Sequence, residues 1–442
     1  MRCRSAMGEE MNKRIFVRLA CVSAAALLTG VGVTDQAKAG GFAVREQSSY
    51  FQGSGFAGTA AGGDISSMYW NSAAVATLPG FNVEASGTVI FPSSDVTATG
   101  GILALTDPYR TANIAVDAFV PAMYGTYQIN DRFYAGIAVN SPFGFATKPD
   151  DALWAGAPIA LTFQVRTLDF NPTLAYKITP ELSIGVGAQV EYMRVRLNSD
   201  IRSVDADSWG AGATVGALWQ PSAATSIGVG YRSAVTQDLS GLYTTSALAT
   251  PPNVGFNGNA SVTLPDEVTL SARQAITDRL ALLGTVEWQD QSRVGNIPIN
   301  SLYCGGACET LNFNYRDQWY FALGAEYAYS PSLTVRTGVN YEISPVDNTN
   351  RTIVLPDSNR LGVSVGGSYR YSDRVTFDLA YTHLFFDNAP FCMAAGGGTV
   401  HCISPLQVPL LQGSADTSVD MLSFAAKYST GAPVAALEPY KK

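Results

Sequence analysis

The sequence predicts an all-β fold, a fourteen-stranded antiparallel transmembrane β-barrel with an N-terminal hatch folded in its lumen. Three observations predict it. The chain opens with an export signal, and most of its length then falls into segments that alternate between an apolar face and a small or polar one, with aromatic residues at the ends. Between the two lies a forty-residue stretch, Gly40 to Pro79, crowded with Gly, Ala and Ser and showing little alternation. Such a stretch cannot build a core of its own, but its small side chains let backbone approach a barrel wall closely, as a plug must.

The signal occupies residues 1–39, with a possible start at Met11. Lys13, Arg14 and Arg18 form a basic beginning, Leu19 to Val33 an apolar middle, and Ala37-Lys38-Ala39 a small-x-small end, so the mature chain is expected to begin at Gly40. The apolar run is short and diluted by Gly, Ser and Thr, which argues against a retained membrane helix. Cys21 precedes most of that run, which argues against a lipid anchor.

Composition narrows the compartment and the chemistry. The chain carries a formal charge of −8, and the signal takes away more basic than acidic residues, so no nucleic-acid footprint is present. Aromatic residues make up 11% and glycines number 42, while no later run is long and apolar enough for a spanning helix. That combination fits an outer-membrane barrel or a large secreted β-protein. Periodicity separates them. From Trp209 to Trp219 one face is Trp209, Ala211, Ala213, Val215, Ala217 and Trp219; from Trp319 to Tyr327 it is Trp319, Phe321, Leu323, Ala325 and Tyr327. Strands of this length, tilted, cover about 20–25 Å, the height of a lipid-facing band between two aromatic girdles.

In chain order the segments lie near Phe81–Phe91, Phe119–Gln128, Arg132–Phe145, Leu161–Lys177, Glu181–Leu197, Trp209–Gln220, Thr225–Leu239, Ser261–Ile276, Arg279–Gln291, Phe313–Tyr329, Ser332–Ile343, Arg360–Tyr371, Arg374–Phe386 and Ser418–Tyr428. The barrel thus spans residues 80–428, and a tail, 429–442, follows in the periplasm. Tight turns at Asn130-Asp131, Thr179-Pro180, Thr277-Asp278, Ser330-Pro331 and Ser372-Asp373 alternate with longer outer loops. Pro142 interrupts the third segment and Gly144 follows; a proline has no N–H for the ladder, so either the strand ends there at the outer rim or the wall kinks and loses pairing.

Parity sorts the charges. Arg336, Asn340 and Glu342 fall on the lumenal face of their strand, and the same count turns Glu84, Asp169, Glu191, Arg232, Glu267, Arg273, Glu287, Arg316, Glu326, Arg370 and Asp378 inward. Most are expected to pair hatch with wall; Arg316 and Arg336 are the candidate contacts for a substrate carboxylate. Arg194 and Arg196 have the opposite parity beside Tyr192, where the phosphate of lipopolysaccharide is a fitting partner. Cys304, Cys308, Cys392 and Cys402 fall in two outer loops as candidate disulfides, with three connectivities open; a zinc site is the alternative, and only His401 adds a nitrogen ligand.

Two catalytic-looking strings carry no chemistry. Gly53-Ser54-Gly55-Phe56-Ala57-Gly58 matches GxGxxG but lacks the βαβ setting and acidic residue of a dinucleotide site. Gly362-Val363-Ser364-Val365-Gly366 matches GxSxG but lies mid-strand, where no nucleophile elbow forms. His383 and His401 are the only histidines, both near the outer rim. No catalytic residue, metal or cofactor is expected.

The mature start, Gly40-Gly-Phe-Ala-Val-x-Glu-Gln-Ser48, then Gly58-Thr-Ala-Ala61, Asp64 and Asn71-Ser72-Ala73, resembles the hatch of the FadL-type long-chain fatty-acid and hydrocarbon transporters of Gram-negative outer membranes. The resemblance continues through Asn140-Ser-Pro-Phe-Gly144, Asn171-Pro-Thr-Leu-Ala-Tyr176, Leu264-Pro-Asp266, Glu287-Trp288 and Arg351-Thr-Ile-Val-Leu-Pro-Asp357. It implies uptake of hydrophobic molecules by diffusion through a plugged barrel, with Asn71, Ser72 and Ala73 as the gating motif. It also implies a side opening at Asn140, Pro142, Phe143 and Gly144, facing that motif. A polar-solute porin is the rival class. Such a barrel is expected to be a monomer, inserted by the barrel-assembly machinery, in contact with lipopolysaccharide and outer-membrane lipid. Three departures stand out: Ser72 replaces the family's Pro, the loop from about Asn198 to Asp207 is short, leaving Ser240–Asn259 for surface capture, and Tyr428 does not end the chain.

Overall fold

The structure, a computed structural model, describes residues 43–106, 109–246, 253–394 and 409–431. The expected signal, the chain beyond Gly431, and His401 and Cys402 lie outside them. Among the described residues, fourteen wall strands make one closed antiparallel sheet. They are β1 (Phe81–Gly100), β2 (Ala118–Gln128), β3 (Phe133–Asn140, resuming at Gly144–Thr147), β4 (Thr162–Lys177), β5 (Leu182–Asn198), β6 (Arg202–Ser222) and β7 (Thr225–Arg232, resuming at Val235–Thr245). The second half is β8 (Gly255–Leu264, resuming at Glu267–Ala275), β9 (Leu280–Gln289), β10 (Gln318–Ser330), β11 (Leu333–Ile343), β12 (Arg360–Arg370), β13 (Val375–Phe386) and β14 (Pro409–Ser429). Each pairs with its sequence neighbours, and β1 closes on β14 from Asn82↔Ser429 to Gly100↔Gln412.

The alternation sets which side each residue faces. On β11 Val335, Val339 and Tyr341 are exposed on the outside, while Arg336, Asn340 and Glu342 are buried within. On β6 Trp209, Val215 and Trp219 are exposed in the same way. The short turns are held by their first residue. Asn130 Oδ1 accepts from the Phe133 N–H, and the hydroxyls of Thr179, Thr277, Ser330 and Ser372 accept from the N–H three residues on, at 2.9–3.1 Å in all five.

Several boundaries differ from the sequence reading. β6 starts at Arg202, so only residues 199–201 separate it from β5, and Asp205 and Asp207 stand in the ladder. β10 starts at Gln318 rather than near Phe313. The β9–β10 connection holds a hairpin, Asn296–Ser301 against Gly306–Asn312, which has no aromatic-ended alternation to reveal it. Cys304 and Cys308 form a disulfide beyond its first strand, and Cys392 is also disulfide-bonded.

Residues 43–79 fill the lumen. A short helix, α1 (Ser49–Gln52), is capped by the Ser48 hydroxyl on the Phe51 N–H, and 3-10 turns at Ile65–Tyr69 and Ser72–Thr77 are capped by Asp64 and Asn71. Phe51, Phe56, Met68, Trp70 and Val75 are buried with Tyr124, Tyr134 and Tyr320 of the wall. Glycine permits the fit. A Cβ on Gly366 of β12 would lie 2.7 Å from the Gly53 Cα, so the two glycine-rich strings pack backbone on backbone. A Cβ on Gly230 of β7 would lie 1.7 Å from the Trp70 carbonyl oxygen.

Candidate functional site: a plugged lumen, an apolar pocket and a break in the wall

The parity-assigned charges do join plug to wall. Arg45 meets Glu287 at 2.5 Å; Glu326 takes Arg336 at 2.7 Å, Arg273 at 2.5 Å and the Tyr50 hydroxyl at 2.6 Å. Arg232 binds Asp169 at 2.8 Å and donates to the Tyr69 carbonyl. Lys427 meets Asp64 of the plug and Asp378 of β13. Within a buried site each such charge is stabilised by its partner and costly without it. Arg336 is therefore engaged by Glu326 and the Ser368 hydroxyl, and its guanidinium covers the Tyr50 ring at 3.5 Å. Arg316 corrects the parity count. Because β10 begins two residues later, Arg316 sits in the loop, exposed, with its Nε donating to the Ser344 carbonyl. The structure does not bring Arg316 and Arg336 together.

Asn71 donates to the Ala60 and Ala217 carbonyls and accepts from the Ala73 N–H. The Ser72 hydroxyl pairs with Thr214 of β6 at 2.7 Å. The motif and the turn it opens pack against β4, β5 and β6, with further contacts to β3 and β7, and Trp70 just before it lines the space that reaches Pro142 and Phe143.

At that kink the wall is broken. The β2–β3 ladder ends at Met123↔Val139; β2 residues 118–122 go on pairing with β1, and Gly144–Thr147 pairs with β4. Higher up, Lys148 and Asp150 donate to the Ile114 and Asn113 carbonyls, closing the break from above. If the register continued, Pro121 would oppose Ser141 and Val120 would oppose Pro142, so each strand presents a residue without an N–H. The N-terminal end of the plug occupies this edge. Val44 donates to the Pro142 carbonyl at 2.8 Å, and Ala43 bridges Phe143.

Toward the outer end the lumen holds an apolar cavity of about 60 Å³. Phe163, Val165, Met193, Leu239, Leu264 and Phe313 are among its walls, and no charged side chain lines it. A second, narrow space of about 10 Å³ lies between Arg45, Arg232, Gln189 and Glu267 and reaches Pro142 and Phe143 at the break. The cavity was not anticipated, though its signal is in the sequence. The lumenal register turns from charged to apolar above Asp169 on β4 and above Glu191 on β5, where Met193, Val195 and Leu197 follow.

A closed barrel with outward aromatics, a lumen filled by its own N-terminal segment and an apolar cavity above that segment defines an outer-membrane transport protein for apolar cargo rather than an open pore. The chain belongs to the family of outer membrane protein transport proteins described as OMPP1/FadL/TodX, whose model matches residues 30–429. It is 27% identical over 399 residues to outer membrane protein P1 of Haemophilus influenzae, covering 79% of this chain and 86% of that one. It is 24% identical over 428 residues to the long-chain fatty acid transport protein of Escherichia coli K12, covering 84% and 92%. Its fold is that of the crystal structure of a Pseudomonas aeruginosa FadL homologue, with a TM-score of 0.79 at 20% identity, covering 89% of this chain and all of that one. It also matches the Pseudomonas putida toluene transporter TodX, with a TM-score of 0.62 at 16% identity, covering 83% and 94%.

Proposed function

We propose that the protein passes small apolar molecules from the outer cavity sideways through the β2–β3 break into the outer leaflet, by diffusion and without catalysis. The observation that carries this is the unpaired wall between Ala118–Ala122 and Ser141–Thr147, reached from inside by the space at Pro142 and Phe143. A lateral route keeps the cargo's apolar surface out of water, where each exposed CH₂ costs about 0.8 kcal/mol. The filled lumen weighs against a porin for polar solutes. Cargo of the kind named for the relatives, long-chain fatty acid or toluene, matches the apolar lining of the cavity, and the uncharged cargo matches best, because Arg316 lies in an outer loop and Arg336 is already paired. On the exterior, Arg194 holds Asp205 through two 2.9 Å bonds and Arg196 adds a third; this half-exposed cluster above Tyr192 is where a lipopolysaccharide phosphate would sit. Gly144→Trp, which fills the break, tests the route: uptake of a hydrocarbon should stop while assembly and heat-modifiable migration stay normal. Undiminished uptake with the break filled sinks the side exit.

A further inference from the structure

We infer that Gln47 is the positioning residue of the side opening: its amide stands in for the missing neighbour strand at Ser141 and fixes the break at its working width. The inference rests on the side-exit reading above and adds the residue that frames the exit. Gln47 is fully buried. Its Nε2 donates to the Ser141 carbonyl at 2.8 Å and to the Val44 carbonyl at 3.0 Å. Its Oε1 accepts from the Ser141 N–H at 3.3 Å and from Asn140 Nδ2 at 3.2 Å. Both backbone groups of Ser141 are thereby served by one side chain, in the two-way pattern a facing strand residue would supply. The orientation of the amide is set by its surroundings, since two carbonyls lie on one side and two N–H donors on the other.

The same residue reaches both banks of the break. The Gln47 carbonyl accepts from the Tyr124 hydroxyl of β2 at 2.7 Å, and that hydroxyl also accepts from Asn140 Nδ2 at 2.8 Å. β2 cannot close onto Ser141 while the amide occupies those groups, and with Pro121 opposite it has no N–H to offer in return. The plug is thus tied to the edges of the exit at Gln47, between Val44 on the Pro142 carbonyl and α1 deeper in the lumen. Nothing else uncharged and of this length does both jobs: a carboxylate would accept but not donate, and would face two carbonyl oxygens.

The test uses the full chain reconstituted in liposomes, with the fluorescent hydrocarbon 1-N-phenylnaphthylamine as probe. Gln47→Leu and the same-sized Gln47→Glu should bind the probe within twofold of the unaltered protein, because the outer cavity is untouched. Both should release it into the leaflet at least tenfold more slowly. In either background the cysteines of Ala118→Cys with Gly144→Cys should cross-link faster, because the banks are no longer held apart. Release within twofold of normal overturns the inference, as does a loss of binding that keeps step with the loss of release. Failure of both variants to assemble overturns it too, since a residue framing an exit is not needed to close the barrel. Normal release in the Gln47 variants alongside a block by Gly144→Trp removes Gln47 alone; unimpaired release with Gly144→Trp removes the side exit itself.

Discussion

The guanidinium of Arg336 lies 3.5 Å over the ring of Tyr50, and both side chains end on Glu326, at 2.7 Å and 2.6 Å. One wall carboxylate therefore gathers a wall cation and a plug hydroxyl, so the plug is anchored through a buried charge that is itself neutralised.

Removing that cation is expected to loosen the plug rather than impair recognition. Arg336→Gln leaves Glu326 with Arg273 as its one cation beside the Tyr50 hydroxyl and removes the guanidinium from the Tyr50 ring, a loss on the scale of about 3–5 kcal/mol for breaking a buried pair. The expected signs are brief conducting events in planar bilayers and a lower temperature for heat-modifiable migration. Oleate and alkane binding should fall equally. A selective loss of oleate would instead make Arg336 a carboxylate contact.

The outer cavity is expected to set affinity. Val195→Asp places a carboxylate in a cavity whose lining holds no charged side chain, so hydrocarbon binding should weaken at least tenfold, or about 1.4 kcal/mol, with assembly unchanged. Arg316→Gln should leave hydrocarbon binding unchanged, because its side chain is exposed in an outer loop, where its Nε donates to the Ser344 carbonyl. Equilibrium titration of the purified protein measures both; unaltered affinity in Val195→Asp would place the cargo elsewhere.

How much of this the sequence could disclose follows from what each feature depends on. The wall was legible because lipid on one side forces a period of two, with Trp209 and Trp219 bounding the outward apolar face of β6. Arg316 was misplaced for the same reason: parity holds only while the ladder runs unbroken, and β10 had not yet begun. Pro142 announced a break, since a missing N–H is a local property. Gln47 announced nothing, because its partner Ser141 lies 94 residues away and a buried amide in a small-residue stretch has no periodic signature. The packing of Asn71-Ser72-Ala73 against the wall, mainly at β4 to β6, likewise depends on how the plug coils, which alternation does not encode.

Ser72 can be tested by restoring the proline that the family resemblance implies. The residue is the first of the 3-10 turn that Asn71 caps, a position where a missing N–H is tolerated and a fixed φ is compatible. Ser72→Pro is expected to gain about 0.4–1 kcal/mol from a stiffer unfolded chain and to lose about 1 kcal/mol with the bond to Thr214. Stability should therefore stay within about 1 kcal/mol, read from denaturant unfolding. A large loss would mean that the hydroxyl pair to Thr214 is what seats the motif on β6.

Deleting the plug tests the closure of the lumen. Side chains from residues 43–79 occupy the barrel's interior, and Phe51, Phe56 and Trp70 form its buried centre. The wall, however, closes through β1 and β14 without them, along a ladder that reaches from Asn82 to Gly100. A chain lacking residues 40–79 is therefore expected to assemble and to conduct ions steadily in planar bilayers, where the intact protein is nearly silent. Buried charges such as Glu287 and Glu326 would then face water in place of Arg45 and Tyr50, so the pore should favour cations. Steady porin-like conductance from the intact protein would show that the plug does not seal the lumen.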